Sequence, residues 1–445
     1  MTTGSDYADA LRALADRGRF GIRLGLGRTR ALLRELGDPQ RSIRGALVAG
    51  TNGKGSVLAL AGAAIRAAGL RAGETPKPHL VTYRERLQIA GRPIDPATFA
   101  ELTREALAAA DRVGRRLGEP TEFELLTAMV FSWFARERVD LALVEVGLGG
   151  RLDATHVWDG GVAAITNVDL DHTDRLGSTI GAIAREKAAI IERGDLAVTG
   201  ACGEALSIIR RRARRMTVPL TVVQTPAVTD LSRDGIEVDL PRLGRTFVGL
   251  RGRHQAANVA VADALLDALG RAGIAQVGDE QRRAGYAAVR WPGRLELVEV
   301  GDREVLLDGA HNPAGAVTLA TALDDLRPFL GTGPITLVTA TMADKDVDGV
   351  VRALAAARSL DGGRVVATRV DVPRALPADE LAAAWRRNGP NPAVETEPDA
   401  GRAIDRAIET ADGPVVVAGS LYLVGLARGR LVDDPLFRDP VVGGP

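Results

Sequence analysis

The chain has 445 residues, which at roughly 100–200 residues per domain implies two to four domains. Apolar residues make up 46% and charged residues 26%, an ordinary globular balance that excludes disorder over most of the length. The 57 Lys and Arg match 57 Asp and Glu, which disfavours a nucleic-acid partner, and the one cysteine, Cys202, excludes an internal disulfide framework or a multi-cysteine metal site.

A reducing, cytoplasmic setting is expected. The first twenty residues carry Asp6, Asp9, Arg12, Asp16, Arg17 and Arg19, with no apolar stretch suited to a secretory leader. The longest apolar run, 415–427, is broken by Gly419, Ser420 and Gly425. It falls short of the about 20 residues that cross a bilayer, so no membrane partner is expected.

The first forty residues read as helix with a glycine-rich break at 21–27. An apolar strand at 46–49 runs into Gly50-Thr51-Asn52-Gly53-Lys54-Gly55-Ser56, and a helix is predicted over 57–70. Further buried strands are predicted at 141–146 and 162–168. Trp291-Pro292-Gly293-Arg294 is a rigid turn, followed by strands at 295–300, 305–307, 335–338, 364–368 and 415–418. Strands alternating with helices imply α/β architecture with parallel sheets. The expected division is 1–292 and 293–445, with a ligand cleft between the two domains.

The loop at 50–56 lies between a strand and a helix. Glycines let several N–H groups converge on one phosphate, and a helix N-terminus adds positive potential. Lys54 would reach the terminal phosphates, and the Ser56 hydroxyl would serve Mg²⁺. The spacing departs from the usual phosphate loop, because Val48 stands where its first Gly would be and Gly55 separates Lys from Ser. A plain glycine-rich turn is the alternative.

Glu145 ends a buried strand, where parallel sheets bind ligands and hard oxygen donors suit Mg²⁺. A salt-bridged strand end is its plainer reading. His172 lies among acidic residues after the next strand, either as a ligand for a second metal or as an ordinary loop histidine. Lys187 shares a predicted helix face with Ile183 and Ile191, a pattern that favours a lysine snorkelling to water. In the second domain, Asp308 could accept from ribose hydroxyls, His311 could donate to a phosphate, and Arg294 could hold a phosphate or stack on a base. A capped helix start, with Asp308 and Asn312 bonding backbone N–H groups, competes with that reading.

Together these residues resemble the folylpolyglutamate synthase/dihydrofolate synthase family of the Mur ligase superfamily. The matches include the phosphate loop, Pro78-His79-Leu80 with Glu85-Arg86, Thr121-Glu122-Phe123-Glu124 and 145–153. They continue through 167–173, Arg185-Glu186-Lys187, His254-Gln255 with Asn258, Pro292-Gly293-Arg294, 308–313, Asp344-Lys345-Asp346 and Gly419-Ser420-Leu421-Tyr422. The resemblance implies a three-layer, Mur-ligase-like phosphate-loop ATPase domain and a smaller Rossmann-like C-terminal domain, with ATP in the cleft. It implies ATP contacts from Thr51, Asn52, Gly53, Lys54, Gly55, Ser56, Asn258, Arg294 and Asp308. Ser56 and Glu145 would hold one Mg²⁺, and Glu145 and His172 would bear on a second. Lys187 matches a lysine that is carbamylated in the family. Lys54, Lys187, His172 and His311 are the expected catalytic residues. Lys77, His79, Arg86, Phe123 and Asp153 are expected at the acceptor, with Phe123 either stacking on a pterin or packing in the core.

The implied reaction joins L-glutamate to the carboxylate of dihydropteroate or a reduced folate, through an acyl phosphate, in a protein expected to be a monomer. Two departures bear on the acceptor: Lys77 stands where the family carries a metal-binding Ser, and His156 where it carries Asn. A ligase drifted to another carboxylate, and a nucleotide-binding protein without ligase activity, are the competing functions.

Overall fold

The computed structural model describes residues 3–18, 21, 23–388 and 393–440, so Arg19 and Ile22 of the stretches above lie outside the described residues. The chain divides into two compact units. The first holds the described residues up to Thr225, Ala257–Ala288 and the described residues from Leu436 on. The second holds Pro226–Ala256 and Val289–Pro435. One crossing, between Ala288 and Val289, falls beside Pro292. The others, after Thr225, Ala256 and Pro435, interrupt the two continuous spans that were expected.

The first unit is built on one sheet. Its strands run in the order Arg92–Pro93, Gln88–Ile89, Ala72–Thr75, Leu141–Glu145, Gly45–Ala49, Gly161–Ile165, Leu196–Thr199 and Leu220–Val222. All neighbours from Ala72–Thr75 onward are parallel. Leu141–Glu145 and Gly45–Ala49 are buried along their whole length. That pattern belongs to a parallel sheet covered on both faces. Gly45–Ala49 is where the connections change direction. The chain goes from it to Ala72–Thr75 on one side, and Gly161–Ile165 flanks it on the other. Ligands of such sheets bind at this point, beyond the carboxyl ends of the strands.

Two sheets form the second unit. The larger runs Glu296–Val300, Arg303–Asp308, Val415–Ala418, Thr336–Thr339, Arg364–Arg369 and Ala393–Asp399, parallel except for its first pair. The smaller is antiparallel, in the order Gly244–Val248, Ile236–Leu240 and Val228–Leu231. No expectation covered this small sheet. Arg233 ties it to its unit by pairing with Glu299 and Glu304, and Arg251 donates to the Leu295 carbonyl at 3.2 Å.

The segment after Leu436 is held within the first unit by charge. Asp439 Oδ1 accepts from Thr82 Oγ1 at 2.6 Å, Tyr7 Oη at 2.9 Å and Arg84 Nε at 3.3 Å. Arg84 also donates to the carbonyls of Leu436 and Arg438, at 3.1 and 2.8 Å. Arg84 is buried while Asp439 is about a third exposed, at 34%. Asp439→Ala is therefore expected to cost about 1–2 kcal/mol, because Arg84 keeps its carbonyl acceptors and water screens part of the pair. Urea unfolding with unchanged slope would measure it.

Candidate active site

The phosphate loop begins where Gly45–Ala49 ends. The helix predicted from 57 starts at Lys54 and runs to Ala67. Gly53 is the reason: its φ of +80° turns the chain directly into the helix. A Cβ at Gly53 would also lie 2.2 Å from Asn258 Oδ1, so any larger residue would have to displace that amide. Lys54, Gly55 and Ser56 thereby occupy the first turn, where backbone N–H groups lack helical partners.

The loop is stapled to the neighbouring strand's exit. Asn52 N–H donates to Asn167 Oδ1 at 2.9 Å, and Thr51 N–H to the Asn167 carbonyl at 3.1 Å. Thr51 Oγ1 donates to the Asp169 carbonyl and accepts from its N–H. Thr166 Oγ1 donates to the Asn52 carbonyl at 2.6 Å. Residues 166–168, read above as the end of a strand, lie beyond Gly161–Ile165 and hold the loop instead. The signal was the run of short polar residues Thr166-Asn167, which favours side-chain bonds to nearby backbone.

Lysines gather here. Lys54 Nζ donates to the carbonyls of Gly50 and Thr51, at 3.1 and 3.0 Å, and lies 3.9 Å from Glu145 Oε1. Lys187 Nζ donates to the same Gly50 carbonyl at 2.8 Å. Lys187 is 4% exposed, which corrects the snorkelling pattern. Its helix, Ile180–Ala188, ends before Ile191, so the expected face is not completed. Burial, and then the Lys54 ammonium, pull the Lys187 amine down from 10.5 to about 7.

The unfolded chain keeps that proton up to about 10.5, so it binds more protons than the folded chain between about pH 7 and 10.5. Stability should rise with pH across that window, with the penalty complete below it. Lys187→Met should reduce the rise, leaving the share above about pH 8 that the lowered Lys77 amine contributes, as denaturant unfolding at about pH 7 and about pH 9.5 would measure.

Glu145 is buried, and its Oε2 accepts from the Lys77 N–H at 2.8 Å. The Lys77 ammonium donates to the Glu145 carbonyl and lies 5.4 Å from the centre of the Phe123 ring. Desolvation lowers the Lys77 amine to about 8, against the pull of Asp153 and Glu145. Phe123 is half-buried on the first turn of Glu122–Arg136. Asp153 accepts from the Leu148 and Thr155 N–H groups, at 2.8 and 2.9 Å, and from Thr155 Oγ1 at 2.5 Å, so it shapes the turn after Glu145.

His79 and Arg86 meet directly, with Arg86 Nε donating to His79 Nδ1 at 2.9 Å. The His79 ring tilts against Tyr83 at 4.2 Å, and burial with the Arg86 charge pushes it down to about 3. It is a neutral acceptor at any ordinary pH. Glu85, between them, accepts from the N–H groups of Leu80, Val81 and Thr82 at 2.6–2.8 Å and so fixes this loop. His172 stands apart in character. It is exposed and left-handed at the start of the one-turn helix Thr173–Leu176, 3.9 Å from Asp171. His156 Nε2 lies 3.5 Å from Glu192 Oε1 and its Nδ1 3.2 Å from the Arg151 carbonyl.

Arg294, Asp308 and His311 belong to the second unit. Both Asp308 oxygens accept backbone N–H groups, from Leu295 and Ala310, at 2.9 Å each. Burial raises the Asp308 carboxyl against the opposing Arg294 charge. His311 Nδ1 lies 2.7 Å from the Gly309 carbonyl, and Arg294 donates to the Gly293 carbonyl at 3.0 Å. Asn312 caps Pro313–Leu326 by accepting from the Gly315 N–H at 2.7 Å.

Among the described residues no three His, Cys, Asp or Glu side chains are arranged to hold a metal ion. The donors at hand, the Glu145 carboxylate and the Ser56 hydroxyl, are hard oxygens. They fit Mg²⁺, which binds through one or two protein oxygens together with substrate phosphates rather than in an all-protein cage. Among the described residues no helix is long and apolar enough to cross a membrane.

The family model for "Mur ligase, glutamate ligase domain" matches residues 293–421. The dihydrofolate synthase/folylpolyglutamate synthase of Bacillus subtilis is 33% identical over 438 residues, covering 96% of this chain and 99% of that one. The folylpolyglutamate synthase of Mycobacterium tuberculosis, solved with ADP and AMPPCP, superposes with a TM-score of 0.85 at 34% identity, covering 98% of this chain and all of that one. E. coli FolC, solved with DHPP and ADP, gives a TM-score of 0.80 at 28% identity, covering 95% and 97%.

Proposed function

The chain belongs to the folylpolyglutamate synthase/dihydrofolate synthase family, and from this premise we propose how its residues carry out ATP-dependent ligation of L-glutamate to a folate-type carboxylate. The observation that carries the reading is the convergence of Lys54, Glu145, Lys77 and the buried Lys187 on the phosphate loop at the carboxyl edge of the first sheet.

A carboxylate is a poor electrophile at neutral pH. Its oxygen attacks the γ-phosphorus of ATP, the bond to ADP breaks, and an acyl phosphate results. The amine of glutamate then attacks the activated carbonyl, and phosphate leaves. The loop N–H groups and the first turn of Lys54–Ala67 hold the phosphates, and Lys54 offsets the charge that develops on them. Ser56 and Glu145 would hold Mg²⁺, which neutralises phosphate charge and polarises the phosphoryl group when bound. Orientation of the bound reactants supplies on the order of 7–11 kcal/mol.

Lys187 suits carbamylation. With its amine lowered to about 7, a substantial share is unprotonated near neutral pH, so its nitrogen can bond to CO₂ and lose a proton, becoming a carbamate anion. Mass spectrometry under bicarbonate would reveal the adduct. His172 and His311 are assigned to the reacting phosphates. Asn258, Arg294 and Asp308 are assigned to the nucleoside of ATP, and His79, Arg86, Phe123 and Asp153 to the acceptor side. We further assign residues 1–292 to ATP and acceptor binding and 293–445 to glutamate ligation, with support from the family match over 293–421. A cytoplasmic monomer completes the reading.

The test is turnover. Purified protein with MgATP, L-glutamate and dihydropteroate or tetrahydrofolate is expected to release phosphate and form the glutamyl conjugate. Lys77 beside Phe123 favours one second reading, a family ligase with another carboxylate acceptor. Turnover on other acids and on no folate-type acceptor would select it.

A further inference from the structure

Lys77 holds Glu145 from two directions. Its N–H bonds a carboxylate oxygen at 2.8 Å, while its ammonium bonds the same residue's carbonyl. Strand register sets this arrangement. Thr75 pairs with Val144 in parallel strands, so residue 77 and Glu145 leave the sheet side by side. The Phe123 ring, 5.4 Å from the ammonium, adds a cation–π contact that holds the charge in place.

The second carboxylate oxygen of Glu145 faces Lys54 at 3.9 Å. The buried carboxylate therefore meets the Lys77 amide and the Lys54 ammonium directly, and the Lys77 ammonium, seated on the backbone carbonyl of the same residue, adds a second positive charge to its surroundings. Asp153 is the other carboxylate acting on Lys77, and its oxygens are already engaged by Leu148 and Thr155. One divalent ion can enter with the phosphates, which bring their own negative charge. A second would have to rest beside a fixed ammonium. A lysine ammonium is a compact point charge that needs no coordination sphere.

We propose that Lys77 is a built-in cation that takes the place of a second divalent ion at Glu145, so that the site operates with a single Mg²⁺. The inference rests on the ATP-ligase reading above. Lys77 neutralises negative charge on the reactants where a second metal would otherwise do so.

The experiment is a Mn²⁺ titration of the full chain with AMPPCP, followed by electron paramagnetic resonance of unbound Mn²⁺. The wild type is expected to bind one ion per chain. Lys77→Ser and Lys77→Met should bind a second ion at least about ten-fold more tightly than the wild type does, since a repelling charge is gone. Lys77→Arg keeps the charge and should stay at one. Lys77→Met preserves bulk and carries the comparison if the Ser variant does not fold. Two ions on the wild type, or Ser and Met variants that match it, would overturn the inference while leaving the ligase reading intact. A wild type that binds neither AMPPCP nor Mn²⁺ would overturn both.

Discussion

Lys54→Met is expected to lower kcat by about 10²–10³-fold, the usual loss when one preorganised charge or donor at the reacting group is removed. The protein should still fold. The loop keeps its shape through the bonds that join Thr51 and Asn52 to residues 166–169, none of which involves Lys54. A second consequence distinguishes this variant from simple loop damage. The Lys54 ammonium helps depress the Lys187 amine, so its removal should move that amine upward and reduce carbamate formation at neutral pH. Phosphate release under saturating substrates gives kcat, and mass spectrometry in bicarbonate gives the adduct. A loss smaller than about ten-fold would remove Lys54 from the chemistry.

Arg282→Ala is expected to destabilise the first unit by about 3–5 kcal/mol, the range for breaking a buried ion pair from one side. Arg282 is 2% exposed. It donates to Asp263 Oδ1 at 2.9 Å, Asp267 Oδ1 at 2.8 Å and the carbonyls of Asp263 and Val277 at 3.1 Å. Without it, the Asp263 carboxylate keeps the Tyr286 hydroxyl at 3.0 Å but no cation in that set. The effect reaches the phosphate loop through packing. Asp279–Ala288 lies against the loop's own helix so closely that a Cβ on Gly285 would stand 2.4 Å from the Ala64 backbone. Urea unfolding should show a lower midpoint, and AMPPCP should restore part of the stability by binding the folded form. A change under about 1 kcal/mol would mean the network is solvated, and the buried-pair argument would fail.

The family, the α/β class and the places of several central strands were legible from sequence, whereas Ala72–Thr75, Leu196–Thr199 and the order of strands in each sheet were not. Strands such as Gly45–Ala49 and Val415–Ala418 are short apolar runs flanked by glycine, and burial on both faces leaves that mark regardless of context. The small sheet of the second unit was less visible. Ile236, Val238 and Leu240 do alternate with Glu237 and Asp239, and the three inward residues are buried. Yet five residues of period two weigh little without knowledge of the strands beside them.

The candidate site divides in the same way. The chain's order alone placed Lys54 and Ser56 at a strand-to-helix loop and Glu145 at a strand end, because local backbone geometry and residue type suffice there. Tertiary structure alone decided the environment of Lys187. Helical periodicity pointed its ammonium to water, whereas the fold buries it against the Gly50 carbonyl, 137 residues away. The bracketing of Glu145 by Lys77 and the bonding of Asp439 to Arg84 likewise depend on which strands and segments become neighbours. Sequence fixes what each side chain can donate or accept; desolvation and partner charges, which set how strongly it does so, exist only once distant segments have packed together.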